Sequence, residues 1–262
     1  MSVDVDRAVA FVRTHGDEFD RARLDAVLEE GSLLSREQKQ RLLAGQRDDG
    51  GWPAFWASNY SSLDATCFRL AQGEGLGIDP WCPAFVQAVA FLRAHQRQDG
   101  SWEEDEAVRE LAPRLYLTAN CGWWLANATL RGMVSTDEAA QRAGTYLERH
   151  LAEDRSLPSF LHAHWLAGGF WIRLGRADLA HRVLDYLATR MSDNVPASSL
   201  AWILTTLAPL GVSPDHLLIR QATTLLLSQQ RADGRWASED GPERDPYVTV
   251  EALRGLIQWV AL

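Results

Sequence analysis

A single lysine, Lys39, stands against 25 arginines, and 35 acidic side chains outnumber the 26 basic ones, giving a net charge of −9 with no basic run along the chain. That balance argues against a nucleic-acid scaffold, which needs a positive patch to meet phosphates. Cysteine is scarce as well. Cys67, Cys82 and Cys121 are odd in number and form no C-x-x-C step, so neither a disulfide framework nor a zinc ribbon is indicated, and a reducing, cytoplasmic setting is expected. No apolar run approaches the roughly 18 residues of a membrane span, and residues 1–15 lack the basic-then-apolar layout of a secretory signal. Strand-type alternation is almost missing. P-loop, dinucleotide and G-x-S-x-G signatures are missing altogether. What the chain has in excess is tryptophan, 11 residues in 262, within a composition that is 46% apolar and ample for a substantial core.

Three of the eleven tryptophans close a recurring pattern. Gln46-Arg-Asp-Asp-Gly-Gly-Trp52 returns as Gln96-Arg-Gln-Asp-Gly-Ser-Trp102 and as Gln230-Arg-Ala-Asp-Gly-Arg-Trp236. A repeated Q-x-x-D-G-x-W phrase marks a repeat architecture. Its Asp-Gly step reads as the corner after a helix, because glycine accepts the left-handed backbone that such a turn imposes. Weaker echoes occur at Asp154-Arg-Ser-Leu157, at Asp193-Asn194, where asparagine would take the left-handed position, and at Gly16-Asp17. Six corners imply six helical hairpins.

Apolar residues at spacings of three and four agree with this, predicting twelve helices near 3–14, 18–30, 36–47, 61–74, 81–97, 112–131, 136–150, 158–174, 176–191, 196–210, 213–230 and 246–261. Start signals include capping boxes at Ser35 with Gln38 and Ser135 with Glu138, and early prolines at Pro83, Pro158, Pro196 and Pro214. Segments 81–97, 136–150, 176–191 and 213–230 are charged on one face, whereas 61–74, 112–131, 158–174 and 196–210 are apolar over more of their circumference. The second kind must be buried on both sides. The expected fold is therefore an all-α (α/α)6 toroid, one domain over residues 1–262, with an inner and an outer ring and the long corners 48–60, 99–111 and 233–245 gathered at one mouth.

The repeated corners resemble the QW repeats of the terpenoid cyclase and protein prenyltransferase superfamily, squalene-hopene cyclases included. The resemblance implies that Gln46, Trp52, Gln96, Trp102, Gln230 and Trp236 are stability residues, and that the barrel centre is an apolar, aromatic-lined pocket for an isoprenoid chain. Protonation-driven members carry a D-x-D-D-T segment whose middle aspartate donates the proton. Here Ser62-Leu-Asp-Ala-Thr66 keeps Asp64 and Thr66 but has Ser62 and Ala65 in place of the flanking aspartates. Desolvation at a cavity wall keeps a carboxylic acid protonated, as a general acid must be, whereas the first turn of a helix favours the carboxylate. Asp64 thus reads either as the acid or as a helix-start residue.

Aligning later repeats on Thr118 and Thr249 sets Tyr116 and Tyr247 level with Asp64, as groups to orient an acid or to take a proton from a cation. One turn deeper lie Cys67, Asn120, Trp123, Glu251 and Arg254. Trp123, Trp124, Trp165, Trp171 and Trp202 are candidate pocket liners, since ring faces stabilise a carbocation without attacking it; the alternative is plain core. In His162-Ala-His164 the two imidazoles point apart, which is poor for a shared metal, and leaves His162 as a cavity-facing candidate or as a hydrogen-bonded structural residue. The prenyltransferase D-x-C zinc step has only Ala119-Asn-Cys121 as its counterpart. The acidic run Glu103-Glu-Asp-Glu106 reads as a solvated loop.

These observations lead to metal-independent, protonation-driven cyclisation of a small apolar, isoprenoid-bearing substrate, with Asp64, Tyr116 and Tyr247 as catalytic candidates. Cys67, Asn120, Trp123, Trp124, His162, Trp165, Trp202, Glu251 and Arg254 are the substrate-binding candidates. No cofactor, no metal and no nucleic-acid partner is expected; a partner biosynthetic enzyme is a further candidate. Two other readings stand beside this one: a non-catalytic binder or scaffold on a degenerate cyclase fold, and a template cyclase of a non-terpenoid product.

Overall fold

The computed structural model describes residues 3–28, 34–104, 110–133 and 136–260. Ser135 of the expected capping box, and Asp105 and Glu106 of the acidic run, lie outside them. Twelve α-helices occur among the described residues: α1 (Val5–His15), α2 (Glu18–Val27), α3 (Arg36–Leu43), α4 (Leu63–Gly75), α5 (Pro83–Ala94), α6 (Leu111–Leu130), α7 (Asp137–Arg149), α8 (Leu161–Arg173), α9 (Ala177–Thr189), α10 (Ala197–Leu207), α11 (Leu217–Ser228) and α12 (Asp245–Ile257). Each answers to one predicted segment, and the all-α class follows.

The chain divides into two compact units, one of Ser35–Tyr186 and one of Met1–Leu34 with Leu187–Leu262. In the first, α6 packs against α4, α5, α7 and α8. It is buried nearly all round, from Leu117 through Ala128, as is α8 from Ala163 through Trp171. By contrast α7 buries one stripe, Ala139, Ala140, Ala143, Gly144, Tyr146 and Leu147. The difference is the one expected between a helix flanked on both sides and one with a solvent face. In the second unit α12 packs against α10, α1 and α2, and α11 backs α10.

The Q-x-x-D-G-x-W phrase is a set of specific bonds. In each corner the aspartate carboxylate accepts an amide two residues on, Gly51 N, Ser101 N and Arg235 N. The glutamine Nε2 donates to its own corner and to the start of another helix: Gln46 to Gly50 O and Ala84 O, Gln96 to Gly100 O and Ala139 O, Gln230 to Gly234 O and Asp4 O. Gly50, Gly100 and Gly234 have φ of +91°, +95° and +89°. A Cβ there would also lie 2.5 Å from Gln87 O, 2.6 Å from Arg142 O and 2.4 Å from Arg7 C, so both backbone shape and space require glycine. Trp52, Trp102 and Trp236 are fully buried. Their backbone amides donate to Thr66, Thr118 and Thr249 Oγ1, hydroxyls that in turn donate to carbonyls four residues back, Ser62 O, Arg114 O and Asp245 O. The threonines used to align the repeats therefore anchor each corner to the helix it feeds.

The weaker echoes divide. Asp154 builds a full corner: Arg155 takes the glycine position at φ +73°, Ser156 N binds Asp154 Oδ1, and Ala152 N binds Ser156 O. His164 replaces the threonine, with Nε2 accepting from Leu157 N and Nδ1 against Phe160 O. Those two contacts put the proton on Nδ1. Asn194 does not adopt the left-handed backbone; Val195 N closes a plain turn onto Ser192 O, and Val195 precedes a proline that restricts it. Gly16 is extended, with φ −70° and ψ 153°, and Asp17 caps α2 through a capping box with Asp20. Four of the six expected corners are thus corners in this sense.

Three further boundaries differ. Residues 52–62 form an antiparallel hairpin, β1 (Trp52–Ala54) with β2 (Ala57–Ser62), where a loop and an early helix start are expected from the sequence. Asp49 Oδ1 accepting from Ser61 Oγ and Arg47 donating to Ser58 O hold the returning strand, long-range ties that local periodicity does not encode. Helices α8 and α11 begin after Pro158 and Pro214, the latter capped by His216, whose ring accepts from Leu218 N. The Ser35–Gln38 capping box and Pro83 in the first turn of α5 are present.

Candidate functional site

Within the Ser35–Tyr186 unit the chemistry gathers at the start of α4. Ser62 is the N-cap, its hydroxyl accepting from Ala65 N. This is the position where a D-x-D-D-T segment has its first aspartate, and serine does there what a helix start demands. Asp64, half-buried, is not the cap. Its Oδ1 accepts from Tyr116 Oη at 2.7 Å, and Asn120 Nδ2 reaches the same phenol oxygen at 3.4 Å. Burial, then the Asp64 charge and this hydrogen bond, hold the Tyr116 phenol well above its ordinary range. Cys67, one turn on, meets Cys121 with sulfurs 3.9 Å apart. Burial pushes the Cys67 thiol well up, and Cys121 adds to it.

The first amide of α4 belongs to Glu104. Its Oε2 accepts from Leu63 N at 3.0 Å, with the Asp64 amide and the Ser62 hydroxyl close by. Burial raises its carboxyl above the usual carboxylate range; these three donors pull the other way, and the Asp64 charge raises it further. Beside it Glu103 is paired with Arg97 at 2.6 Å and with Arg114. The expectation of a solvated acidic loop is corrected for these two residues: they sit two and one residues past the buried Trp102, where the corner turns them onto helix starts and arginines. A charge run alone signals solvent, and only the adjacent corner motif hinted otherwise.

The other candidates of this unit fall in different places. His162 is half-buried, its ring 6.2 Å from Tyr116 and 4.8 Å from Trp165. Trp165 and Trp171 are fully buried, and Trp171 Nε1 donates to Gly144 O of α7. Trp123 has the Arg173 guanidinium 5.6 Å over its ring. Trp124 lines a small recess with Leu70, Phe85, Val89, Asn127 and Arg131, whose interior of about 10 Å³ has room for one water.

Tyr247, Trp202, Glu251 and Arg254 belong to the other unit. There Arg23 of α2 is almost wholly buried, 4.2 Å over the Tyr247 ring and 2.5 Å from Glu251 Oε1, and Arg254 reaches Glu251 Oε2 at 3.6 Å. Burial opposes the Arg23 charge, but Glu251 and Tyr247 outweigh it and raise its pKa. The Tyr247 phenol is raised by burial, with Arg23 opposing. Trp202 is half-buried on α10. Arg23 escapes sequence reasoning because nothing in a chain of 25 arginines marks an arginine that turns inward. Among the described residues no group of three or more His, Cys, Asp or Glu side chains could hold a metal ion, and no helix is long and apolar enough to cross a membrane.

No protein-family profile matches the sequence, and no curated protein matches it in sequence. Solved structures do match. The type II terpene cyclase MstE from Scytonema, as a variant in complex with its product merosterolic acid A, superposes with a TM-score of 0.61 at 15% identity over 97% of this chain and 95% of the other. A second MstE variant, in complex with its substrate geranylgeranyl dihydroxybenzoate, gives a TM-score of 0.58 at 16% identity over 97% and 95%. Native alpha-2-macroglobulin from Escherichia coli matches at 0.56 and 14% identity, over 97% of this chain and 42% of that one. At such identities the likeness shows the fold, and the chain has a terpenoid cyclase-like one.

Proposed function

We propose that this chain is a terpene-cyclase-like enzyme that cyclises a small apolar, isoprenoid-bearing substrate by protonation and without a metal, Asp64 being the acid. The observation that carries the reading is the 2.7 Å bond from Tyr116 to Asp64 Oδ1 at the start of α4, in a fold shared with type II terpene cyclases. One carboxyl oxygen is held by the phenol, and the other is left to present a proton. Asp64 gives that proton to the terminal alkene carbon, the next double bond supplies the electron pair that closes the ring, and the Tyr116 hydroxyl stabilises the carboxylate left behind. The last cation loses a proton to a base, so the product is an isomer of the substrate. Tryptophan faces shape the path of the cation.

The substrate bound by the MstE variant makes polyprenylated aromatic acids the first compounds to try. A second reading, a lipophilic-ligand binder or a template cyclase of a non-terpenoid product, draws on Ser62 and Ala65 standing where aspartates are expected, and on the macroglobulin match, since one fold serves unlike functions. Purified protein incubated with prenyl diphosphates and polyprenylated aromatics, followed by chromatography and mass spectrometry, decides between them. The cyclase reading expects a product of unchanged mass and altered retention, lost in Asp64→Asn. Binding of a panel member without turnover would favour the second reading.

A further inference from the structure

An aspartate in the first turn of a helix has a ready alternative to any tertiary contact: it can fold back onto the free amides that open the helix. In α4 the amides on either side of Asp64 are taken. Leu63 N donates to Glu104 Oε2 at 3.0 Å, and Ala65 N donates to Ser62 Oγ at 3.1 Å. Asp64 is turned instead to Tyr116. Glu104 arrives from the corner that buries Trp102, so its approach is fixed by the motif itself, and the Glu103 pairs with Arg97 and Arg114 secure the residue before it.

We propose that Glu104 is a positioning residue for Asp64: by occupying the first amide of α4 it keeps the Asp64 side chain on Tyr116. The groups facing Asp64 are Tyr116 and Asn120 from α6, Cys67 from its own helix with Cys121 behind it, and Glu104 from the corner. The His162 ring of α8 stands 6.2 Å from that of Tyr116. The consequence for catalysis rests on Asp64 being the acid; the positioning itself does not.

The Tyr116 phenol reports the geometry, because the Asp64 charge and hydrogen bond both hold its titration up. With tyrosine ring-carbon labelling, the Tyr116 resonance is titrated in wild type, Glu104→Ala, Glu104→Gln and Asp64→Asn. Glu104→Ala frees the Leu63 amide, and the Tyr116 midpoint should fall by about one pH unit or more, as in Asp64→Asn. Glu104→Gln keeps an acceptor for Leu63 N and should restore most of the wild-type value. Should Glu104→Ala not fold, Glu104→Asp, too short to reach Leu63 N, replaces it with the same expectation. A Tyr116 midpoint that stays at the wild-type value in Glu104→Ala or Glu104→Asp, while Asp64→Asn lowers it, overturns the proposal. Turnover is read separately: wild type forming no product from any panel member, with the titration shifts intact, overturns the acid reading and leaves the positioning standing.

Discussion

Replacing Gln96 by alanine tests whether the corner motif holds helices together. The side chain donates to Gly100 O at 3.0 Å and Ala139 O at 2.8 Å, and accepts from Arg142 Nη2 at 2.5 Å. Each of the two neutral bonds is worth about 0.5–1.5 kcal/mol net. The Arg142 bond is exposed and adds little. The loss should therefore be about 1–3 kcal/mol, because both carbonyls sit against packed helix ends where water replaces the amide poorly. For a chain of this size about 2–4 °C accompanies each kcal/mol, which places the drop in Tm near 5 °C. Calorimetry gives Tm, and urea titration gives the free energy with m as a check that the denatured state is unchanged. Gln46→Ala and Gln230→Ala should behave alike, since each loses the same pair of bonds. A change below about 0.5 kcal/mol at all three positions would refute a structural role for the repeat.

Other perturbations separate the parts of the motif. Arg155→Gly should stabilise by up to about 1 kcal/mol, because arginine at φ +73° bears left-handed strain that glycine lacks, and its 3.9 Å pair with Asp185 is exposed; a loss of stability on urea titration would contradict this. Gly100→Ala should cost at least about 2 kcal/mol, from left-handed backbone strain and a Cβ 2.6 Å from Arg142 O, with Ser101→Ala as the milder control. His164→Ala leaves the buried Leu157 amide without its acceptor and should cost about 1–3 kcal/mol by the same titration. Alkaline unfolding checks the Tyr116 phenol: its folded pKa lies above the unfolded value of about 10, so its contribution is complete below pH 10 and is lost as pH rises beyond it. Tyr116→Phe should flatten that loss; an unchanged alkaline limb would count against the raised phenol.

How far the sequence can be read follows from the range of the interaction involved. All twelve helices are legible because helix burial repeats every three to four residues within one segment. Asp64 and Tyr116 could be paired because both precede, by two residues, a threonine that performs the same task in each repeat, Thr66 and Thr118. The hairpin at 52–62 escaped because its ties run from Asp49 and Arg47. Glu104 escaped because a glutamate in an acidic run is ordinarily solvated, and its contact with Leu63 spans 41 residues. Asn194 and Gly16 show the opposite error, residues suited to a corner that the chain uses otherwise. His164 does a threonine's work with a different chemistry, which no one-letter pattern would match.

The central claim is that Asp64 delivers a proton to a carbon of the substrate, and solvent deuterium reads that step directly. A carboxyl at a half-buried helix start exchanges with solvent, so cyclisation of a polyprenylated aromatic acid in deuterated buffer should give a cyclic product one mass unit heavier than its unlabelled counterpart. Asp64→Asn should give none. A cyclic product without deuterium, or a labelled product formed equally well by Asp64→Asn, would contradict the account.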